Sequence, residues 1–525
     1  MADAEAWWKA PWNRVFAKNN SPLDRNNDRI ESQPISGSQP RTAMAVHTPT
    51  YAGEAEHTSA ETSVTDLAFH PYRQSILSTA PEKGYLSETP QNDPISRFIV
   101  FSDAGKLVYA SGDSSEAVYA HASVLQALVA VFAYDNNDEL QSICMEDELG
   151  RNAKVTLLSR TPLYVAYISS YDQPTEQIQA QLSRVYFAIV SLMSKVRLQQ
   201  LFEQKPNFDL RAVLTPMQDY LDGVVASMGT SMSISLAALP VYPLDASLRA
   251  NIMQTVMPSQ DTQDPQRLRD VLYVSVLRHN QLVCLAHPKR HTPHQEDLAL
   301  LFDMVRFGGT NASETDVWVP MCLPHAAPHG FVFVYASRLH PGADGAMLLI
   351  VMGDRDGLER AKAWRAQIQP ACNDGCLRVL QEMPQREHVD ALGITGLRHY
   401  AVVSQKYSQY TTVDSPYPSS VDTDRLFRLY SHSLASLQGE KYFEKAQGVM
   451  DKAHDARIAM AGPCRLQHYR TDHEAILAWR LSGYWLFVAV SPPWLSKAAI
   501  ATAANKVAAY VRRKEKYLFA IAHSF

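Results

Sequence analysis

The chain is 525 residues long, with 46% hydrophobic residues, 20% charged residues and a net charge of −5. That length exceeds one typical core and implies two to four domains of ordinary globular composition. The mild acidity excludes a dedicated nucleic-acid binder unless positive charge is clustered, and no apolar run reaches the roughly 18–20 residues that span a bilayer.

Residues 1–93 are rich in Pro, Ser, Thr, Asn and Gln and hold few periodic apolar positions. Such a segment buries too little apolar surface to offset its conformational entropy, so a disordered tail is expected. Within it, Trp7, Trp8, Trp12, Val15 and Phe16 form an aromatic cluster interrupted by Pro11. The cluster can serve as a linear motif, as a membrane-interface anchor, or as a piece docked on the folded body.

Regular structure is expected from Arg97. RFIVFSD and KLVYASG are apolar or alternating runs joined at Asp103-Ala104-Gly105, a hairpin turn. Asp113 or Ser114 can cap the helix that follows, and Glu116 adds an acidic first turn. This helix, with VLQALVAVF at 124–132, is apolar nearly all round. A helix covering only its own sheet needs a stripe of about 100°, so the surplus face calls for a neighbouring module or a second chain. Strands are predicted at 140–146, 154–161 and 163–170. A long helix starts near Pro174, with Ile178, Leu182, Val185, Ile189, Leu192 and Val196 on its buried face. Another helix follows Asp209.

The same order recurs twice. Residues 271–286 form a strand pair turning at His279-Asn280. A helix covers 293–307, strands cover 317–323, 330–339 and 346–353, and a helix starts at Leu358. The third opening lies at 397–413, followed by a helix at 423–437 and strands at 464–470, 474–483 and 484–492. A last helix starts at Ser496 and buries Ile500, Ala504, Val507 and Val511. Three ββαβββα units in tandem define an internal repeat of fold, with domains at 94–232, 233–390 and 391–525.

Signatures of covalent chemistry are missing from the sequence: it holds no GxxxxGK[ST] loop, no GxGxxG after a strand, no GxSxG elbow and no HExxH helix. The six scattered cysteines are expected to be reduced thiols of a cytosolic protein. Cys372 and Cys376 lack a second ligand pair at zinc-site spacing. His287, His291 and His294 lie in HPKRHTPH, where two prolines enforce a loop, and are read as solvated, with no metal expected. Lys497, Lys506, Arg512, Arg513, Lys514 and Lys516 crowd the last helix, and Lys289 and Arg290 add a basic loop. These charges suit either a solvated face with cations at a helix C-terminus, or contact with anionic lipid headgroups.

FSDAGKLVYASGD followed by SVLQALVAVF resembles the start of the first longin domain of the SAND, or monensin-sensitivity, family of vacuolar fusion proteins. The resemblance continues in order through LFEQKPNFDLRAVL (201–214), NQLVCLAHPK (280–289), LHPGADGAMLLIV (339–351), LRHYAVVSQKYSQYT (397–411), AILAWRLSGYWLFVAVSP (475–492) and SKAAIATAANKVAAYVRRKEKYLF (496–519). It implies an α/β protein of three tandem longin domains, each a five-stranded, mostly antiparallel sheet with flanking helices. The implied function is that of one subunit of a heterodimeric guanine-nucleotide exchange factor. Its partner would be the second tri-longin protein, the Ccz subunit. Its substrate would be the late-endosomal and vacuolar Rab GTPase. Its surface would be a membrane carrying phosphatidylinositol 3-phosphate, with no nucleic acid, no cofactor and no covalent catalysis. Cytoplasmic localisation is implied, peripherally on late endosomes, multivesicular bodies, prevacuolar and vacuole membranes, with roles in endosome maturation, vacuole fusion and autophagy. In the family the first longin domains pair and present the Rab platform. The candidates for these surfaces here are the first helix and its flank, with Val118, His121, Leu125, Leu128 and Phe132, and the 205–211 segment, with Lys205, Asn207, Asp209 and Arg211. Each apolar position among them can equally be internal core, and Asp209 can be a helix N-cap. Lys289, Arg290, Arg512, Arg513 and Lys514 are the membrane-facing candidates. Longin modules also build adaptors and tethers without exchange activity, and that alternative stays open.

Overall fold

The computed structural model describes residues 96–112, 116–136, 139–146, 152–170, 173–257, 268, 270–308, 316–340, 345–383, 389–413, 420–438 and 464–525. The 1–93 tail with its tryptophans, and the caps expected at Asp113 or Ser114, lie outside these residues.

The first domain opens with β1 (Ser96–Ser102) and β2 (Leu107–Ala110), paired antiparallel with Val100 opposite Tyr109. Gly105 sits at φ +73° in the turn, a conformation glycine adopts without a side-chain clash. Helix α1 (Glu116–Asn136) crosses over to β3 (Ser142–Glu146), β4 (Asn152–Arg160) and β5 (Leu163–Ser169). The strand order is β2-β1-β5-β4-β3, because β5 returns to pair with β1. Helix α1 covers one face of this sheet. Val118, Ala122 and Leu125 are buried against Ile99, Phe101, Val155, Leu157 and Ile168. Helix α2 (Thr175–Met193) belongs to the core on the opposite face.

The expected continuation of α2 to Val196 is corrected by the structure. The helix ends at Met193, and Ser194 takes φ +64°. The Ser194 hydroxyl accepts the backbone N–H of Arg197 and so caps a new helix, α3 (Lys195–Gln204). Val196 is half-buried. A short α4 (Leu210–Leu214) and α5 (Gln218–Thr230) complete the unit.

The repeat is exact in topology. A two-residue β6 (Leu239–Pro240) and α6 (Ala246–Val256) precede the second domain. There β7 (Val271–Arg278) and β8 (Gln281–His287) turn at His279 and Asn280, both at positive φ, the conformation a two-residue hairpin demands. Then come α7 (Gln295–Phe307), β9 (Asp316–Leu323), β10 (Ala327–Arg338), β11 (Met347–Met352), α8 (Leu358–Asp374) and α9 (Cys376–Glu382). The third domain runs β12 (Leu397–Ser404), β13 (Gln409–Thr412), α10 (Ser420–Gln438), β14 (Leu466–Arg470), β15 (Ala475–Leu481), β16 (Tyr484–Val490), α11 (Lys497–Arg513) and α12 (Glu515–Leu518), ending in β17 (His523–Ser524). The sheet orders β8-β7-β11-β10-β9 and β13-β12-β16-β15-β14 repeat that of the first domain.

The domains are not separable beads. The first and second share one hydrophobic core, in which Tyr186, Ile189 and Val190 of α2 join Leu298, Leu301 and Met321. Helices α5 and α7 approach so closely that a Cβ at Gly223 would lie 2.5 Å from the Phe307 ring. Arg184 of α2 pairs with Asp303 of α7 at 2.7 Å across this seam. Between the first and third domains lies a cavity of about 120 Å³, with Gln173, Gln177 and Gln181 on one side and Asp424 and Arg428 of α10 on the other.

Two strand exchanges cross the boundary drawn at 391. β6, ahead of the second domain, pairs in parallel with β13 of the third, whereas β17, after the third domain, pairs with β8 of the second. Arg249 sits at this crossing, 6% exposed. Its guanidinium donates to the carbonyls of Tyr242, Val283, Lys516, Tyr517 and Phe519 at 2.7–3.1 Å. No described helix is long and apolar enough to cross a membrane.

Candidate functional site: the outer face of the first helix

The surplus apolar face expected on α1 is present, and its direction is resolved. Val118 (0% exposed) and Leu125 (4%) point into the sheet. They are internal core, which corrects their assignment to a partner-binding surface. Leu128 is half-buried, whereas His121 and Phe132 are exposed. The outward stripe consists instead of Tyr119 (44% exposed), Val124 (58%) and Val131 (56%), interleaved with exposed Ala120, Ala127 and Ala130. Positions 120, 124, 127 and 131 share one face by i, i+3/i+4 spacing. The alanines leave this ridge low, so another backbone can come close. Sequence reasoning found the helix but not these residues. Val124 and Val131 carry the same apolar signal as Val118 and Leu125, and only the position of the sheet separates the two stripes.

Two contacts tie the helix to its surroundings, and a third joins those surroundings to each other. Gln126 donates its side-chain amide to the Asp103 carbonyl at 3.2 Å, so the β1–β2 turn lies under the helix flank. The turn reaches in the other direction, because the Lys106 ammonium donates to the Asn207 carbonyl at 2.8 Å. Arg211 donates to the Tyr119 hydroxyl and lies 5.6 Å from the centre of that ring. The 205–211 segment therefore adjoins the outward stripe through Tyr119 and forms one surface with it. Within the segment Lys205, Asn207 and Asp209 are exposed and Arg211 is half-buried. Phe208 is held edge-on by Phe202, with ring centres 6.2 Å apart. Asp209 stands at the N-cap position of α4, yet its side chain makes no capping hydrogen bond, so the carboxylate is not committed to the helix.

Two phenols of the first domain, Tyr164 and Tyr109, are held neutral. Burial, helped by the Asp103 carboxylate, pushes the Tyr164 phenol up to about 12. Burial likewise raises Tyr109, which donates to Asp222 Oδ1 at 2.6 Å. An apolar ridge bordered by Lys205, Asp209 and Arg211 is equipped for recognising a protein surface by hydrophobic burial with a polar rim.

The basic candidates lie elsewhere. Arg512, Arg513 and Lys514 are exposed at the end of α11, with the Lys514 ammonium 5.6 Å from the Tyr517 ring centre. Lys289 and Arg290 are exposed beyond β8, where the Lys289 N–H donates to the Phe525 carbonyl at 3.0 Å. The structure does not bring either group onto the α1 surface.

Comparison with known proteins agrees with the three-unit architecture. Residues 96–224, 269–369 and 396–515 match, in order, the first, second and third longin domains of FUZ, MON1 and HPS1. The chain is 28% identical over 473 residues to "Vacuolar fusion protein MON1" of Cryptococcus neoformans, a match covering 84% of this chain and 71% of that protein. It is 28% identical to human "Vacuolar fusion protein MON1 homolog A", covering 80% of this chain and 60% of the relative. "Protein SAND" of Takifugu rubripes is 26% identical over 426 residues, 80% of this chain and 75% of the relative.

Proposed function

The chain belongs to the FUZ, MON1 and HPS1 family of three-longin proteins, among the vacuolar fusion proteins called MON1 or SAND, and from that premise we propose that it is one subunit of a guanine-nucleotide exchange factor for a late-endosomal and vacuolar Rab GTPase. The observation that carries this reading is the exposed apolar stripe Tyr119, Val124, Val131 and Phe132, continuous with the 205–211 segment. A second tri-longin chain, the Ccz subunit, covers part of that stripe, and the Rab docks on the composite surface beside it. Placement on a phosphatidylinositol 3-phosphate membrane falls to exposed cations such as Arg512 and Arg513.

Exchange on this reading involves no covalent step. The pair binds the nucleotide-free Rab more tightly than the loaded form, so it weakens nucleotide binding by the difference between those affinities. Reciprocity requires that added nucleotide release the exchange factor from the Rab by the same factor.

The test is release of a fluorescent guanine nucleotide from the vacuolar Rab, with this chain alone, with its partner alone and with the pair. Acceleration by the pair is expected. A pair that leaves release unchanged and holds the GTP-loaded Rab more tightly than the stripped form is a tether, and that result would replace the exchange reading.

A further inference from the structure

His294, Glu296 and His325 come together where no spacing in the sequence announces them. His294 and Glu296 open helix α7, while His325 lies 29 positions on, in the turn between β9 and β10. One donor atom from each residue lies within 4.8 Å of those of the other two. The His325 Nε2 is 2.6 Å from Glu296 Oε2, and the two imidazoles stack with centres 3.6 Å apart.

The surroundings fix these side chains from behind. Asp297, 0% exposed, accepts the backbone N–H groups of His325 and Ala326 at 3.2 and 2.7 Å, which pins the turn to the helix. Phe187 of α2 stands edge-on to the His325 ring at 5.7 Å, and Arg184 donates to the Glu296 carbonyl at 3.2 Å. The cluster therefore sits over the seam between the first and second domains. The other histidines of the loop are committed elsewhere: His287 Nδ1 is 3.0 Å from the Pro288 carbonyl, and His291 Nε2 is 2.8 Å from the Tyr273 hydroxyl.

We propose that His294, Glu296 and His325 bind a divalent transition-metal ion of borderline softness, with Zn²⁺ as the reference ion and at least one coordination position left to water. Two imidazoles and one carboxylate are a recurrent three-ligand set for zinc. Donors around a tetrahedral Zn²⁺ stand about 3.4 Å apart, so the ion replaces the His325–Glu296 hydrogen bond and draws His294 inward by a modest side-chain rotation. The positive end of the α7 dipole opposes a cation here, and the two first-turn carboxylates, Glu296 and Asp297, offset it. Hard cations such as Mg²⁺, which prefer oxygen ligands, are excluded by the imidazoles. The bound ion ties the β9–β10 turn to the start of α7 beside α2.

The experiment is calorimetric titration of the chelator-treated full chain with ZnCl₂, repeated on His325→Ala, Glu296→Gln and His291→Ala. The first two truncate or neutralise side chains at partly exposed positions and leave the core untouched. The expected result is loss of one equivalent of bound Zn²⁺ in His325→Ala and at least tenfold weaker binding of that equivalent in Glu296→Gln, with His291→Ala unchanged. Substituting Co²⁺ should give a weak visible ligand-field band without the strong sulfur-to-metal band of a cysteine site. Unchanged stoichiometry and affinity in His325→Ala and Glu296→Gln, no binding at all, or a cysteine-type Co²⁺ spectrum would overturn the proposal.

Discussion

Placing aspartate at both Val124 and Val131 separates folding from the proposed partner binding on helix α1. These valines are 58% and 56% exposed. Fully burying a valine contributes about 1.5–3 kcal/mol, so covering the exposed halves of both contributes about 2 kcal/mol. Two carboxylates trapped unpaired beneath a partner add a desolvation cost of at least similar size. Together these predict a loss of about 4 kcal/mol, near a 10³-fold weaker association. The free chain should be affected little, since neither side chain enters the core and valine and aspartate have similar helix propensity. Val118→Asp is the contrasting control: it puts a charge at a 0% exposed position and should unfold the first domain. The assay is surface-immobilised binding of the second tri-longin subunit, read beside the thermal unfolding of the free variant. A folded double variant that binds its partner within threefold of wild type would refute the assignment of the outward stripe.

Arg249→Ala removes the donor shared by five carbonyls, three of them buried and two partly buried, and at about 1–3 kcal/mol per buried acceptor left unsatisfied should weaken the junction of the second and third domains by about 3–5 kcal/mol. Hydrogen exchange at 239–244 and 515–520 should accelerate at least 10²-fold, and exchange within threefold of wild type would contradict this. Burial lowers the Arg249 pKa to about 10, still well above neutrality. The residue is thus charged both folded and unfolded from pH 6 to 9, and its contribution should be flat across that range. His468 behaves oppositely. Burial, helped by Arg470 and Lys497, lowers its pKa to about 4 from 6.5, so the unfolded chain takes up the proton first. Stability should therefore fall as pH drops from 6.5 towards 4, and His468→Gln should flatten that part of a melting-temperature profile. Reversing Arg512, Arg513 and Lys514 to Glu should reduce binding to anionic vesicles on the order of 10²-fold or more while leaving exchange in solution unchanged. Unchanged vesicle binding would assign those charges to solvent.

The three domain openings were legible because alternation and turn chemistry are local. RFIVFSDAGKLVYA and VLYVSVLRHNQLVCLA each write two strands and their turn into one short run. Helix ends were readable where a side chain announces them, as at Ser496, whose hydroxyl accepts the Ala499 N–H. The break at Ser194 was not, because Val196 keeps the apolar spacing of the preceding helix. β6 and β17 are two residues each, too short for any period to register, and both owe their existence to a neighbouring sheet edge. On α1 both faces are apolar, so the sequence predicted an outward surface without saying whether Val118 or Val124 belonged to it. The His294–Glu296–His325 cluster depends on a hairpin folding back onto a helix start, and only the tertiary structure supplies that.

The last strand has a consequence for the order in which the chain takes shape. β17 finishes the edge of a sheet whose nearest strand, β8, was synthesised more than two hundred residues earlier. Emerging from a ribosome, the middle domain would hold β8 bridged at Leu282 by Val241 but still without its β17 partner at Ala286 and His287 while the whole third domain followed it out. Completion of that edge thus waits until the third domain has been made, and in that interval the edge is open to a chaperone.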